Sequence, residues 1–300
     1  MLANVALLFA ISLAWAAGYL FIGAAQLIPP ITATAAMTLI AAIVIAGGVR
    51  LGFKRPLLAT LKSRPWVPMV MGLSAIALPN LATVAAEHTV PPDLAALLGT
   101  TVPIATILLA TFVTHESPYS HIRMLGIVLA LSGLIVFVGG WSVLVGHSAE
   151  LWGILTMMAG GLVFALNGLF AARQTRDLAP YGLAAWTIIF GAAALSLAAF
   201  LFERPLAVDF APVVWPLLAE GVLGMGLAYL GYYLLVSRAG AAFTSLYAFL
   251  VPLLGVVGSA LVYGEALTAS HAAGLAIVLA GLALLTHGGH AKPLGLGRTQ

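Results

Sequence analysis

The chain has 300 residues, of which 62% are hydrophobic and 7% are charged. A soluble domain usually carries about a quarter charged residues, so this composition predicts an integral membrane protein. The chain contains no cysteine, which excludes disulfides and cysteine-ligated metals, and its net charge of +3 is too small for a nucleic-acid surface.

Apolar stretches of membrane-spanning length follow one another along the whole chain. An α-helix needs about 20 such residues to cross the hydrocarbon core. The connections between the stretches are short and rich in proline, so they leave no room for a soluble domain. We therefore predict an all-α membrane protein with ten transmembrane helices, over residues 4–25, 28–49, 66–86, 93–114, 121–141, 151–172, 180–202, 212–236, 241–263 and 271–287.

The basic residues predict the orientation of these helices in the membrane. If the N-terminus is cytoplasmic, all of the 12 Lys and Arg residues except Arg204 fall in inward-facing loops or in the C-terminal tail. Cytoplasmic loops of membrane proteins carry an excess of Lys and Arg. We therefore expect both termini to lie in the cytoplasm.

The fourth and ninth predicted spans contain the same pattern. Pro103 is followed thirteen residues later by Glu116 (116 − 103 = 13), and Pro252 is followed at the same distance by Glu265. The two copies are offset by 149 residues (252 − 103 = 149), about half of the chain. An internal similarity at this offset predicts a tandem duplication.

Glycines extend the duplication beyond the proline spans. Gly126 and Gly133 of the fifth span recur as Gly274 and Gly281 of the tenth, at an offset of 148 (274 − 126 = 148). Because each half holds five helices, an odd number, the second half must enter the membrane from the opposite side. This gives two inverted five-helix repeats, an architecture of many secondary transporters. The predicted parts are a first repeat of residues 1–145, a second repeat of residues 146–290 and a cytoplasmic tail of residues 291–300.

These features resemble the drug/metabolite transporter superfamily. The resemblance covers about residues 4–287 and rests on the two five-helix halves, the paired proline and glutamate, and a first helix that contains Trp15. Within that superfamily the chain is similar to the EamA-type exporters. The resemblance implies export of small metabolites across the inner membrane. The aromatic-rich spans suggest the subgroup that exports aromatic amino acids, although no single motif fixes the substrate.

Polar and aromatic side chains inside the spans are the candidates for a substrate cavity. Asparagines deep in a span favour a cavity, although they can also bond a neighbouring helix. Aromatic faces can stack on an apolar substrate, but the same rings can serve as packing or as interfacial anchors. The predicted substrate-binding residues are Trp15, Tyr19, Asn80, Thr100, Asn167, Tyr229 and Tyr247, and the predicted hinges are Pro79, Pro103 and Pro252.

Glu220 differs from the other acidic residues because it lies about two turns into the eighth predicted span. An ionised carboxylate in a membrane helix is costly unless it faces water or a partner, so it suggests a functional site. The candidate roles are a proton carrier and a contact for a substrate ammonium group. The alternative is a glutamate wetted through a shallow vestibule near the outer surface.

The sequence thus predicts an inner-membrane exporter that moves a small molecule, an amino acid or related metabolite, by alternating access through the lipid bilayer. A broad-specificity drug or metabolite exporter is the alternative within this class. A membrane-embedded enzyme would need converging His, Asp, Glu or Ser residues, and a channel would need rings of charge; neither pattern is found. We expect no cofactor, and the sequence leaves the oligomeric state open.

The topology can be tested directly because the natural chain has no cysteine. We expect a membrane-impermeant thiol reagent to reach Ser63→Cys from the cytoplasmic side only and Ser148→Cys from the outside only. The measurement is labelling of intact cells against inverted vesicles. Labelling of both positions from one side would contradict the inverted arrangement.

Overall fold

The computed structural model describes residues 2–25, 27–52, 57–86, 89–90, 92–113, 119–140, 151–264 and 266–287. Over these residues the chain is helical and contains no β-strand. The helices are α1 (Leu2–Ala25), α2 (Pro30–Arg50), α3 (Leu57–Ser63), α4 (Trp66–Ala86), α5 (Pro92–Leu98), α6 (Thr101–Val113), α7 (His121–Phe137), α8 (Leu151–Gln174), α9 (Pro180–Phe202), α10 (Ala211–Thr244), α11 (Tyr247–Tyr263) and α12 (Ala269–His287).

Within the described residues, five helices are long and apolar enough to cross a membrane: α2, α4, α8, α9 and α10. Shorter apolar helices lie in α1, α6, α7, α11 and α12. The prediction of an all-helical, multi-pass chain is therefore confirmed, and most helices follow the predicted spans. However, α10 continues to Thr244, beyond the predicted end at residue 236, and α11 begins only at Tyr247. That exactly ten helices cross the bilayer stays a prediction.

The fourth predicted span is not one continuous helix. Gly99 and Thr100 form a turn between α5 and α6, and the Thr100 hydroxyl donates a hydrogen bond to Leu97 O at 2.6 Å. Pro103 consequently lies in the first turn of α6, where a missing N–H is tolerated, and not at a mid-helix kink. Its counterpart Pro252 does lie inside a helix, α11. A hinge function for either proline stays a prediction.

Each half packs mainly against helices of the other half. Between the halves, α7 packs on α12 and α2 packs on α9. Other contacts between the halves come in repeat-related pairs: α1 packs on α11 and α10, and α8 packs on α6 and α4. The two halves therefore form one bundle.

The repeated glycines mark where α7 and α12 touch. A β-carbon on Gly133 would lie 2.6 Å from Val278 N, and a β-carbon on Gly274 would lie 2.5 Å from Phe137 N. Gly126 and Gly281 similarly face each other's backbone oxygen, at 2.9 Å and 2.8 Å from an added β-carbon. Small residues of this kind let two membrane helices approach closely and gain van der Waals contact.

The third long helix of each half contains a wide turn of π-helix at the same place in the repeat. The turns cover Gly72–Ala77 in α4 and Gly221–Leu227 in α10, and their first glycines are offset by 149 (221 − 72 = 149). An added β-carbon would lie 2.8 Å from Thr187 O of α9 in the first case and 2.8 Å from Met37 O of α2 in the second. Each wide turn is thus pressed against the second helix of the other half.

We expect Gly133→Ala to destabilise the protein by about 1–3 kcal/mol, because the new methyl group collides with the α12 backbone. Gly47→Ala is the matched control, since a β-carbon there meets nothing within 4 Å. The measurement is thermal unfolding of the purified protein in detergent. Equal unfolding temperatures for the two variants would contradict the close contact of α7 and α12.

Candidate functional site

A cavity of about 330 Å³ lies between the two halves of the bundle. Its wall is formed by residues of α1, α4, α8, α10 and α11, together with the turn between α5 and α6. The volume is within the range of small-molecule binding sites, which begins near ~300 Å³. Each of these five helices also packs against a helix of the other half.

Four aromatic side chains line the cavity: Trp15, Phe164, Tyr229 and Tyr247. The ring centroid of Trp15 lies 4.2 Å from that of Tyr247 and 5.5 Å from that of Tyr229. Phe164 lies 6.4 Å from Tyr229 and 6.3 Å from Tyr247. The cavity is therefore lined by aromatic rings contributed by both halves, a surface that stacks on apolar or aromatic groups.

The wall repeats with the chain. Trp15 and Phe164 occupy the same place in the two halves, since 164 − 15 = 149. Other pairs of wall residues with this offset are Asn80 with Tyr229, Leu98 with Tyr247, and Val102 with Val251. Phe164 was missed in the sequence interpretation, and its offset from Trp15 was the signal that could have identified it.

Pro79 explains the hydrogen bonds on the α4 side of the cavity. A proline has no N–H, so the carbonyl of Ala75, four residues earlier, loses its usual helical donor. The hydroxyl of Tyr229, from the other half, donates to Ala75 O at 3.0 Å. The amide nitrogen of Asn80 donates to the next carbonyl, Ile76 O, at 2.7 Å. Two predicted substrate-binding residues thus also complete the backbone of the wide turn in α4.

Glu220 lines the cavity from α10 and is only 7% exposed. Its carboxylate lies against the Cα of Gly224, one turn further along the same helix, where any β-carbon would collide with it. The Oε2 atom is buried and has no hydrogen-bond partner. A buried carboxylate oxygen without a partner is costly and suggests a place for a ligand.

The remaining predicted residues are placed differently. Asn167 is buried outside the cavity wall, where its Oδ1 accepts a hydrogen bond from Ser74 Oγ at 3.2 Å and its Nδ2 is 3.5 Å from Tyr233 Oη. This arrangement ties α8 to α4 and α10. Thr100 is also outside the wall and bonds to the backbone. The side chain of Tyr19, like Glu116 and Glu265, lies outside the described part of the structure.

Polar contacts join the halves at both ends of the bundle. At the end where α4 begins and α8 finishes, Arg64 forms a 3.0 Å ion pair with Asp177 and donates to Gln174 Oε1 at 3.2 Å. At the opposite end, the Glu203 carboxylate accepts hydrogen bonds from Ile31 N at 3.0 Å and Thr32 N at 2.7 Å. Glu203 caps the N-terminus of α2, where a negative charge is favourable.

The fold and the aromatic-lined cavity define a helical membrane protein with a candidate small-molecule site between two repeats. The EamA-like transporter family matches residues 2–139 and 151–287. The chain belongs to this family, which agrees with the resemblance drawn from its sequence. It is a multi-pass membrane protein, and its family relationship points to a transporter and not to an enzyme.

Individual relatives support the same assignment. The chain is 26% identical over 292 residues to the uncharacterized inner membrane transporter YedA of Escherichia coli strain K12, across 95% of this chain and 91% of that protein. It is 24% identical over 187 residues to the uncharacterized transporter YoaV of Bacillus subtilis strain 168, an alignment that spans 62% of this chain and 63% of that relative, less than two thirds.

A solved structure described only as a crystal structure of a protein superposes with a TM-score of 0.79, at 20% identity and across 95% of this chain and 98% of that one. At this identity the similarity shows the fold alone. None of these names specifies a substrate, so they support the transporter class but not the aromatic amino acid subgroup.

We expect Tyr229→Phe to destabilise the protein by about 1 kcal/mol, because Ala75 O would be left in the bundle without a donor. Tyr119→Phe removes the same hydroxyl from an exposed tyrosine and should have almost no effect. Unfolding of both variants in detergent compares them. An unchanged Tyr229→Phe protein would mean that the wide turn satisfies this carbonyl in another way.

Proposed function

We propose that this protein exports aromatic or bulky apolar amino acids across the inner membrane by alternating access. The observation that supports this most is the aromatic-lined cavity at the interface between the two halves. Trp15, Phe164, Tyr229 and Tyr247 offer ring faces and edges to an apolar side chain. Asn80 offers an amide beside them, which suits the polar end of a free amino acid.

The charges around the cavity narrow the substrate class further. Among the described residues, the wall contains no Lys or Arg, the side chains that bind phosphate groups. Phosphorylated metabolites are therefore poor candidates. The polar content of the wall, one carboxylate, one amide and a few hydroxyls, instead fits a small molecule with one polar end and one apolar end.

The position of the cavity supports the transport mechanism. The contacts of Arg64 with Asp177 and of Glu203 with α2 join the halves at opposite ends of the bundle. Breaking the contact at one end while keeping the other would open the cavity to one side at a time. The Arg64 pair is substantially exposed, so it contributes little energy and can be broken easily.

The inner-membrane location is carried over from the name of the relative YedA. The broad-specificity alternative shares this cavity and differs only in how many ligands it accepts. Selectivity for aromatic rings is therefore the property that an experiment must measure.

Counterflow of labelled phenylalanine and tryptophan in proteoliposomes tests the proposal. We expect flux with the natural protein and a loss of about tenfold or more with Trp15→Ala, because that ring packs directly on Tyr229 and Tyr247. The matched control is Trp215→Ala, since Trp215 is 80% exposed. No flux of either amino acid, together with strong flux of a sugar or a cationic drug, would refute the substrate assignment and leave the transporter class.

A further inference from the structure

The hydrogen bonds of the cavity wall use several of its donors within the protein. The hydrogen of the Tyr229 hydroxyl is donated to Ala75 O at 3.0 Å. Thr83 donates its hydroxyl hydrogen to Pro79 O at 3.0 Å, and the amide nitrogen of Asn80 donates to Ile76 O at 2.7 Å. Three wall residues that could have bound an anionic ligand thus donate to the α4 backbone instead.

The bond from Asn80 to Ile76 O uses one hydrogen of the amide nitrogen. It leaves the carbonyl oxygen of the same amide in place as an acceptor. Asn80 can therefore offer an acceptor to a ligand in the cavity.

Glu220 adds an acidic side chain to the same wall. Of the described residues that line the cavity, Glu220 is the one with an acidic or basic side chain. Its Oε2 atom is buried without a hydrogen-bond partner. Gly224 leaves the space in which the carboxylate lies. The side chain is more than nine-tenths buried and lines the cavity, so a ligand in the cavity can reach it.

We propose that the cavity recognises its ligand through a protonated amine and makes no specific contact with a substrate carboxylate. An ammonium group has three hydrogen-bond donors and no acceptor, which matches the acceptors of Glu220 and Asn80. The neighbouring faces of Trp15 and Tyr229 attract a cation as well. A carboxylate would instead face Glu220 without any Lys or Arg in the wall to balance it.

This inference rests on the proposed substrate cavity and defines its ligand class: primary amines that carry an aromatic or bulky apolar group. Amino acids belong to this class through their ammonium group. Arylalkylamines and amino acid amides, which lack the carboxylate, are then expected to bind at least as tightly as the amino acids themselves.

Binding of three probes to the purified protein in nanodiscs, measured by titration calorimetry, tests the inference. The probes are phenethylamine, phenylalanine and 3-phenylpropionate, which carry the same ring with an amine, with both groups, or with a carboxylate alone. We expect the amine to bind at least as tightly as phenylalanine and the carboxylate not to bind. Glu220→Gln, which keeps the shape and removes the charge, should weaken phenethylamine binding by about tenfold or more.

The control is Asp209→Asn, the same chemical change at an exposed residue in the connection that precedes α10. Thermal unfolding of both variants checks that each is folded. If 3-phenylpropionate binds as tightly as phenethylamine, or if Glu220→Gln weakens amine binding no more than Asp209→Asn does, the inference is wrong. Amine binding that depends on Glu220, without phenylalanine counterflow, would refute the proposed substrate and uphold the amine site.

Discussion

The carbonyl group of Ala75 is the point at which the backbone, the interface and the cavity depend on one another. In the hydrocarbon region no water is at hand to complete a broken helix, so every freed backbone group needs a donor from the protein. Pro79 removes the helical donor to this carbonyl, and Tyr229 replaces it from the other half at 3.0 Å. One hydrogen bond therefore satisfies α4, joins the two repeats and fixes a tyrosine in the cavity wall.

Close helix contact elsewhere determines where the cavity can form. Gly133 and Gly274 bring α7 and α12 together, and Gly72 and Gly221 press α4 and α10 against the second helices of the opposite halves. These contacts leave no space between the backbones. The cavity lies where the ring of Trp15 faces the tyrosines of α10 and α11 across the interface, with Phe164 beside those tyrosines.

The two halves contribute corresponding positions to the wall of this cavity, but the residues at some of these positions differ in their chemistry. Trp15 and Phe164 are both aromatic, so the apolar surface persists in the two halves. At the position of Asn80 the second half has Tyr229, and at the position of Met71 it has Glu220 (220 − 71 = 149). The carboxylate therefore has no counterpart in the first half. The helices repeat between the halves, but the polar side chains of the cavity do not. The site can therefore orient a ligand with one polar end.

The sequence by itself determined the helical class, the bounds of most helices to within a few residues and the 149-residue repeat, and it singled out Trp15, Asn80, Glu220, Tyr229 and Tyr247, all of which line the cavity. Hydrophobic runs and spacing are local properties, so they can be read along the chain. Only the tertiary structure decided that Asn167 faces Ser74 and Tyr233, that Phe164 completes the aromatic wall, and that a turn precedes Pro103. The physical reason is distance along the chain: Tyr229 and Ala75 are 154 residues apart, and no local pattern encodes which donor reaches which carbonyl.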